Sequence, residues 1–531
     1  MAPTRLPSAL APLSQPVFRM LWGVWLTANI GMWMNDVAAA WLMTTLTTSP
    51  IMVALVQSAS TLPVFLLGLP SGALADIIDR RRYFMVTQFW VAAVALLLSA
   101  VVLAGGMTPT LLLALTFANG IGLAMRWPVF AAIVPELVPR SQLPAALALN
   151  AIAMNASRIV GPVIAGALIA GAGSAYVFVL NAVMSVAAGF VIMRWKREQK
   201  LSSLPGERFL GAIRVGVQYV RQSTRMRTAL LRVALFFGQT TALLALLPLV
   251  ARQLEGGGAG TFTLLLAAMG TGAIVAALFL PQMRQRLTRD QLVAKGTMVQ
   301  TAAMVVVALA PNAYVAAPSM LVAGMAWISV ANSLSVSAQM GLPDWVRARG
   351  MSIFQMAIMG SSALGAAVWG QVATLTSVTD GLLLAAAAGL VAMLATRRFR
   401  LDTQPDEDLS PADVWKAPVS AVPIDPHDGP VMVTIEYRID PERAADFREV
   451  MQESRRSRLR HGALSWELFR DTSDPGRYIE YFIDESWVEH LRRFDRVTAS
   501  DVALRERRLA FHTGDGPPVV SRFIAEPFKT G

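Results

Sequence analysis

The sequence predicts an all-α polytopic membrane protein, twelve transmembrane helices in two six-helix halves, followed by a C-terminal α+β domain. Three observations predict it. First, 54% of the 531 residues are hydrophobic and only 15% are charged, with a mean hydropathy of +0.50, too little charge to cover a soluble protein of this length. Second, apolar stretches of roughly 20 residues, the length that crosses a bilayer, recur from Val17 to Ala395. Third, one small polar turn occurs twice, as PELVPR at 135–140 and as PDWVRAR at 343–349, each between two long apolar runs.

The spans fall near 17–47, 50–78, 83–104, 108–133, 141–171, 174–195, 226–252, 259–283, 291–310, 312–337, 345–375 and 379–396. Charge alternates along their connections. The loops after spans 2, 6, 8 and 10 carry Arg80, Arg81 and Arg82; Arg194, Lys196, Arg197 and Lys200; Arg284, Arg286 and Arg289; Arg347 and Arg349. TTLTTSP, GGMTPT, GAGSAY, PNAY and TSVTD carry no Lys or Arg, and Arg252 in ARQLEGGGAG is the exception. The positive-inside rule therefore expects both termini in the cytoplasm of a multi-pass plasma (inner) membrane protein. The N-terminal tail is 1–16. The connecting loop 196–225 divides a first half, 17–195, from a second, 226–396. The two polar turns then occupy equivalent places, between spans 4 and 5 and between spans 10 and 11, as internal duplication requires; duplicated transporters place their substrate between the halves.

The net charge of +11 is expected from topology, with the lipid bilayer as partner and not nucleic acid. The chain has no cysteine, which excludes disulfides, metal–thiolate sites and cysteine nucleophiles. The first fifteen residues lack the apolar core of a cleavable signal peptide. No GxxxxGK[ST] phosphate loop occurs, so the transport expected here is not ATP-driven, and no cofactor or metal is expected.

The connection between spans 2 and 3 reads GALADIIDRRR. Its Gly72, Asp76, Arg80 and Arg81 resemble the signature loop of the major facilitator superfamily, with Ile77 and Asp79 departing from it. A carboxylate at a helix end can cap a neighbouring helix and pair with arginine. Asp76, Arg80 and Arg81, with Glu136, Arg140, Asp344 and Arg347 of the repeated turns, are thus the expected cytoplasmic gate. In span 5, Gly161, Pro162 and Gly166 are similar to the exporter motif of that superfamily, where glycine and proline give close packing and a bend. ALLALLPLVAR, GTGAIVAALFLPQMRQRL and LPDWVRARGMSIFQMAIMGSSALGAAVWG resemble the transmembrane secretion effectors, the branch that includes the enterobactin-exporter type. The resemblance implies the major facilitator fold and a proton-linked exporter of a small secreted molecule: siderophore, drug or secondary metabolite.

Ionisable groups inside spans are costly and mark function. Asp36 in span 1 and Arg158 in span 5 are the expected proton-coupling residues, two groups that can approach each other between the helices. Arg126, Asn29, Asn35, Asn155, Gln239, Asn332, Gln339 and Gln355 are candidates to line a polar cavity.

Residues 397–428 are acidic and proline-rich, an expected semi-extended linker. In 429–531, VMVTIEYRI, ALSWELFRD, RYIEYFID and PPVVSRFIAE alternate as strands, with helical patterns at PERAADFREVMQESRRSRLR and ESWVEHLRRFDRVTASDVALRERRLAF. The order βαββαβ is ferredoxin-like. With Trp466, Trp487 and His490 the domain resembles the antibiotic-biosynthesis-monooxygenase type, which implies pairing into a homodimer. It also leaves open a rival reading, a membrane-tethered oxygenase or ligand sensor, beside the expected non-enzymatic transporter.

Overall fold

The computed structural model describes residues 8–196, 209–401, 407–412, 418 and 420–526. Six long helices form the first half: α1 (Pro16–Leu46), α2 (Pro50–Ile77), α3 (Arg80–Leu103), α4 (Pro109–Leu137), α5 (Leu143–Gly171) and α6 (Ser174–Arg194). A short helix, α7 (Phe209–Gln222), lies in what the sequence reads as a connecting loop. The second half has α8 (Thr224–Gln253), α9 (Ala259–Arg286), α10 (Arg289–Leu309), α11 (Ala313–Met340), α12 (Asp344–Leu375) and α13 (Val378–Ala395). Local chemistry sets the starts. Proline opens α1, α2 and α4, where its missing N–H costs nothing. Asp79 caps α3, and Thr288 with Gln291 forms a capping box on α10.

Among the described residues, eleven helices are long and apolar enough to cross a membrane. The helix of the expected first span, α1, is 31 residues long but is not among them. Asn29, Asn35, Asp36 and four tryptophans lower its hydropathy. It is sheltered by its neighbours α5 and α6 instead.

The chain divides into two units. One comprises Met1–Ser203, Leu230–Ser335 and Phe354–Arg400; the other comprises Leu204–Ala229, Val336–Ile353 and Leu401–Gly531.

In the first unit the duplication is visible as packing. Within the first half α3 packs on α6, and within the second α10 packs on α13, the same third-to-sixth contact. Likewise α2 packs on α4, where Gly120 lies against the Ser60 backbone, and α9 meets α11, where Gly272 lies against Leu321 and Gly324 against Met269. Across the halves α5 packs on α9, while α2 meets α12: the Ile51 N–H donates to Thr374 Oγ1 (3.0 Å) and Ser58 Oγ donates to the Ala363 carbonyl (2.7 Å). These are span pairs 5–8 and 2–11, which a two-fold exchange of the halves interconverts. One apolar core joins both halves, with Met34, Leu42 and Phe178 from the first beside Leu246, Phe262 and Leu382 from the second.

The second unit carries the α+β tail: β1 (Val431–Arg438), α14 (Ala444–Arg460), β2 (Ser465–Arg470), β3 (Arg477–Asp484), α15 (Trp487–Asp495), α16 (Ala499–Leu509) and β4 (Val519–Ile524). The sheet is antiparallel in the order β2-β3-β1-β4. The expected strands are present, but the expected second helix is broken in two, because Thr498 and Asp501 cap a fresh start. One sheet face is buried through Val431, Val433, Ile435, Tyr437, Trp466, Tyr478 and Phe482. The register puts Phe523, Met432 and Ile483 in one row of the opposite face, with Val519, Ile479 and Phe469 in another.

Where the linker is described, it makes contacts with the tail. Glu407 pairs with Arg460 (2.8 Å), Asp408 and Ser410 carbonyls accept from Ser500 and Ala499, and Asp428 accepts from Trp487. The same unit holds α7 and the PDWVRAR turn against the tail. Arg214 pairs with Glu485 (2.5 Å), and the Gln218 amide donates to the Ala463 carbonyl (2.6 Å). Trp345 sits among Tyr219, His461 and Arg496, with ring distances of 5.8, 6.1 and 5.0 Å.

Candidate functional site

α1 carries most of the polar groups at the centre of the first half. Asp36 is half-buried and accepts a hydrogen bond from Ser60 Oγ of α2 (3.0 Å). Ser60 lies two residues from Ser58, whose hydroxyl reaches across to α12. Asn29 and Asn35 are fully buried. The Asn29 amide donates to the Trp25 carbonyl (2.7 Å), while both amide atoms of Asn35 lack a protein partner.

Two arginines approach the same stretch of α1. Arg126 of α4, 3% exposed, donates from Nη1 to the Ala28 carbonyl (3.1 Å), with Nη2 4.0 Å from Met32 Sδ and its guanidinium 5.6 Å from the Trp25 ring. Trp25 is itself stacked on Phe130 at 4.1 Å. Arg158 of α5 lies 5.3 Å from the Trp33 ring of α1 and 4.3 Å from the Trp327 ring of α11, so aromatic faces from both halves bound it. The expected approach of Asp36 to Arg158 is not formed as an ion pair. Asp36 is engaged by Ser60, and Arg158 by two tryptophans.

The span-5 glycines act at close helix crossings. A Cβ on Gly161 would lie 2.6 Å from Trp33 Cβ, so this position closes α5 on α1. A Cβ on Gly166 would lie 2.0 Å from Thr263 Oγ1, so this one closes α5 on α9, across the halves. Pro162 is inside α5 between them. Nearby, Trp41 of α1 lies 6.1 Å from Phe262 and beneath Arg252, another cross-half contact at the ends with the uncharged loops.

The expected gate residues make contacts inside each half. Arg80 pairs with Glu136 (2.7 Å) and donates to the Ala132 carbonyl (2.9 Å), tying the start of α3 to the end of α4. Arg81 donates to the Ile192 and Met193 carbonyls at the end of α6. Asp79 supplies the cap of α3, accepting from the Arg82 N–H (2.9 Å). Gly72 is in α2 with open space at its Cβ; the side chains of Asp76 and Arg140 lie outside the described residues. Asp344 and Arg347 pair with each other (2.6 Å) on the first turn of α12, both exposed. That is a local surface pair of small energy.

Of the amides, Asn155 donates to the Ala151 carbonyl one turn back, and Asn332 accepts from Arg284 of α9. Gln339 is exposed and Gln355 half-buried. Gln239 lies within the second half. It bonds its neighbour Thr240 (2.7 Å), packs on Gly389 of α13 and lines a pocket within the second half with Arg232, Thr297 and Thr396. The ion pair in that half which sequence reasoning missed is Arg232–Asp290 (2.6 Å), between α8 and the start of α10.

In the tail, Trp466 donates to the buried Glu480 carboxylate (2.9 Å), which also accepts from Tyr437, Ser454, Arg458 and Arg508. Burial works against the Glu480 charge, but the two guanidiniums and the other donors hold its carboxyl down at about 2. His490 Nδ1 lies 2.9 Å from Asp484, and Arg522 donates to its Nε2 (3.1 Å). Trp487 packs 5.4 Å from His490. All three predicted tail residues are buried in this polar core. No group of three His, Cys, Asp or Glu able to hold a metal occurs among the described residues.

The sequence profile of the transmembrane secretion effectors matches residues 7–529, nearly the whole chain with its tail. No curated protein matches. Solved structures share the fold. A variant of the nucleoside transporter NupG aligns at TM-score 0.59 and 13% identity, over 72% of this chain and 99% of that one. A bacterial homologue of the human lysosomal transporter Spinster, inward-facing and occupied, aligns at 0.58 and 14% over 73% and 96%. A POT family transporter in complex with 5-aminolevulinic acid aligns at 0.58 and 11% over 71% and 95%. At such identities the likeness is one of fold alone.

Proposed function

This chain belongs to the transmembrane secretion effector family, and from that premise we propose that it is a secondary active exporter of a small molecule, driven by protons through alternating access. The observation that carries the reading is the interface between the halves. It is made of exchange-related helix pairs, α5 with α9 and α2 with α12, the arrangement in which one half can rock against the other around a site between them. In this reading the positive-inside rule puts both termini on the cytoplasmic side of an inner membrane. The contacts of Trp41, Gly166 and Ile51 then close the outer side.

Asp36 is the proton site in this reading. Its bond to Ser60 depends on the position of α2, and Ser58 on the same helix is bonded to α12. Rocking that shifts α2 with respect to α12 disturbs Ser60, changes the support of the Asp36 carboxylate and so changes its hold on a proton. Asp36→Asn keeps the shape and removes the titration. In inverted vesicles it abolishes export driven by a pH gradient while downhill exchange of solute survives; gradient-driven export equal to wild type would remove Asp36 from the coupling.

The tail supports a second, smaller proposal. The open sheet face exposes Met432, Phe469 and Phe523, at 37%, 56% and 51%, among polar neighbours that include Glu436 and Glu467. It is a self-complementary patch for a second copy of the chain, as a two-fold dimer requires.

A further inference from the structure

We propose that Arg126 and Arg158 form an anion-binding site, and that the exported solute is an organic anion with a flat apolar body. This rests on the reading that the transport path runs between the halves.

Charge distinguishes these two arginines. The spans of the first unit hold few ionisable side chains, and most are engaged. Arg232 is neutralised by Asp290, and Asp36 is held by Ser60. Arg126 and Arg158 differ. Their contacts are a backbone carbonyl, a thioether and tryptophan faces, with no carboxylate among the described residues. Each also has its Nε buried without an acceptor. A guanidinium taken out of water without a counter-charge is strongly unfavourable, and aromatic faces offset only part of that. Arg126, buried, and Arg158, half-buried, put two cations at the Ala28–Trp33 stretch of α1, a local positive potential that a bound anion would relieve. A guanidinium presents a planar fork suited to carboxylate, phosphate or phenolate oxygens.

The walls supply the rest of the recognition. Met32 and Trp33 of α1 lie beside the two arginines, and Trp327 comes from the other half. Such surfaces favour a planar apolar body over a hydrated one. Trp327 also links binding to rocking. An anion that takes the Arg158 guanidinium competes with the ring contact joining α5 to α11, and so weakens one of the bonds between halves.

The test uses the full-length protein in nanodiscs and three probes of one shape: 1-naphthoate, the neutral 1-naphthamide and 1-naphthylmethylammonium, with binding measured by calorimetry. Wild type should prefer the anion over the amide by at least about tenfold, the scale of one charged hydrogen-bonded contact, and sulfate should compete. Arg126→Gln and Arg158→Gln should each reduce the preference severalfold, while Arg126→Lys and Arg158→Lys, which keep the charge, retain part of it. Equal binding of the three probes by wild type, or an anion preference untouched in folded Gln variants, would overturn the proposal. If the Gln variants do not fold, the wild-type probe ratio and the sulfate competition decide. A protein that fails these tests yet drives export of another solute loses the anion site and keeps the transporter reading.

Discussion

Gly166→Ala tests the interface between the halves at its tightest crossing. The new Cβ would lie 2.0 Å from Thr263 Oγ1 and 2.6 Å from Thr263 Cβ and Cγ2. Ordinary contact begins at 3.4 Å, so α5 and α9 must separate by 3.4 − 2.0 = 1.4 Å or Thr263 must be displaced. Because Cβ itself is in the clash, no rotamer of Thr263 removes it. Overpacking of this kind costs about 1–3 kcal/mol, and it falls only on the state in which α5 and α9 touch. The population of that state should drop by roughly 5–150-fold. The chain has no cysteine, so Ile51→Cys with Thr374→Cys, at the neighbouring α2–α12 contact, reports closure directly by oxidative cross-linking. Gly166→Ala should lower the cross-linking rate and the transport rate together, and Thr263→Gly in the same molecule should restore both. Unchanged cross-linking and transport in folded Gly166→Ala would refute the assignment of this crossing as the closing contact.

Three further outcomes follow from the tail. Glu480 is depressed from the usual 4.5 to about 2, so it contributes stability that is fully present above pH 4.5 and is lost as pH falls toward 2, about 3 kcal/mol in all; Glu480→Gln strands Arg458 and Arg508 and should cut hydrogen-exchange protection of β3 in the full chain on the order of 100-fold at neutral pH, a loss that wild-type protection there would disprove. Trp345→Ala removes two ring contacts and a cation–π contact, about 2 kcal/mol together, and should raise exchange in α7 and in residues 459–463; identical exchange would mean that the turn does not hold the tail. Phe523→Glu places a charge in the open sheet face and should convert dimers to monomers in multi-angle light scattering, and an unchanged mass would leave that face without its proposed partner.

The membrane fold was legible because lipid imposes long apolar runs and the loops carry the charge pattern, signals that persist without any tertiary knowledge. The first helix was found by the same logic although Asn29, Asn35 and Asp36 lower its hydropathy, since the flanking loops demanded it. The strands of the tail were legible from alternation, and the break between α15 and α16 was readable too, in the Thr498–Asp501 capping box, but a continuous apolar period masked it. Helix α7 was hidden for a different reason. Its buried Val215, Tyr219 and Val220 do recur at helical spacing, yet the segment is basic and lies between two spans, where positive-inside logic alone accounts for its arginines. The site was less legible than the fold. Sequence picks out a charged residue in a span but not the partner: Ser60 for Asp36, Trp327 for Arg158 and Asp290 for Arg232 come from helices that only packing brings near.

The repeated turn shows how the two halves diverged. Aligned without gaps, Pro135, Glu136 and Val138 match Pro343, Asp344 and Val346, and both valines are buried, at 8% and 0% exposure. The shared valine therefore serves the shared fold, anchoring the turn in apolar surroundings, whereas Pro135 lies inside the last turn of α4 and Pro343 immediately precedes α12. The position between acid and valine is Leu137 in the first half and Trp345 in the second. In the first half the acid of the turn is engaged by Arg80, so the turn is tied to the span 2–3 loop. In the second half the acid pairs only along its own helix with Arg347 among the contacts described here, and the tryptophan reaches Tyr219 of α7 with His461 and Arg496 of the tail. An aromatic ring gives large contact area with few rotors to immobilise, which suits a position that must grip a separate domain. The duplicated architecture thus supplies two equivalent turns at the start of spans 5 and 11, and the substitution of one apolar side chain by a larger one lets the second turn hold a tail that the first does not.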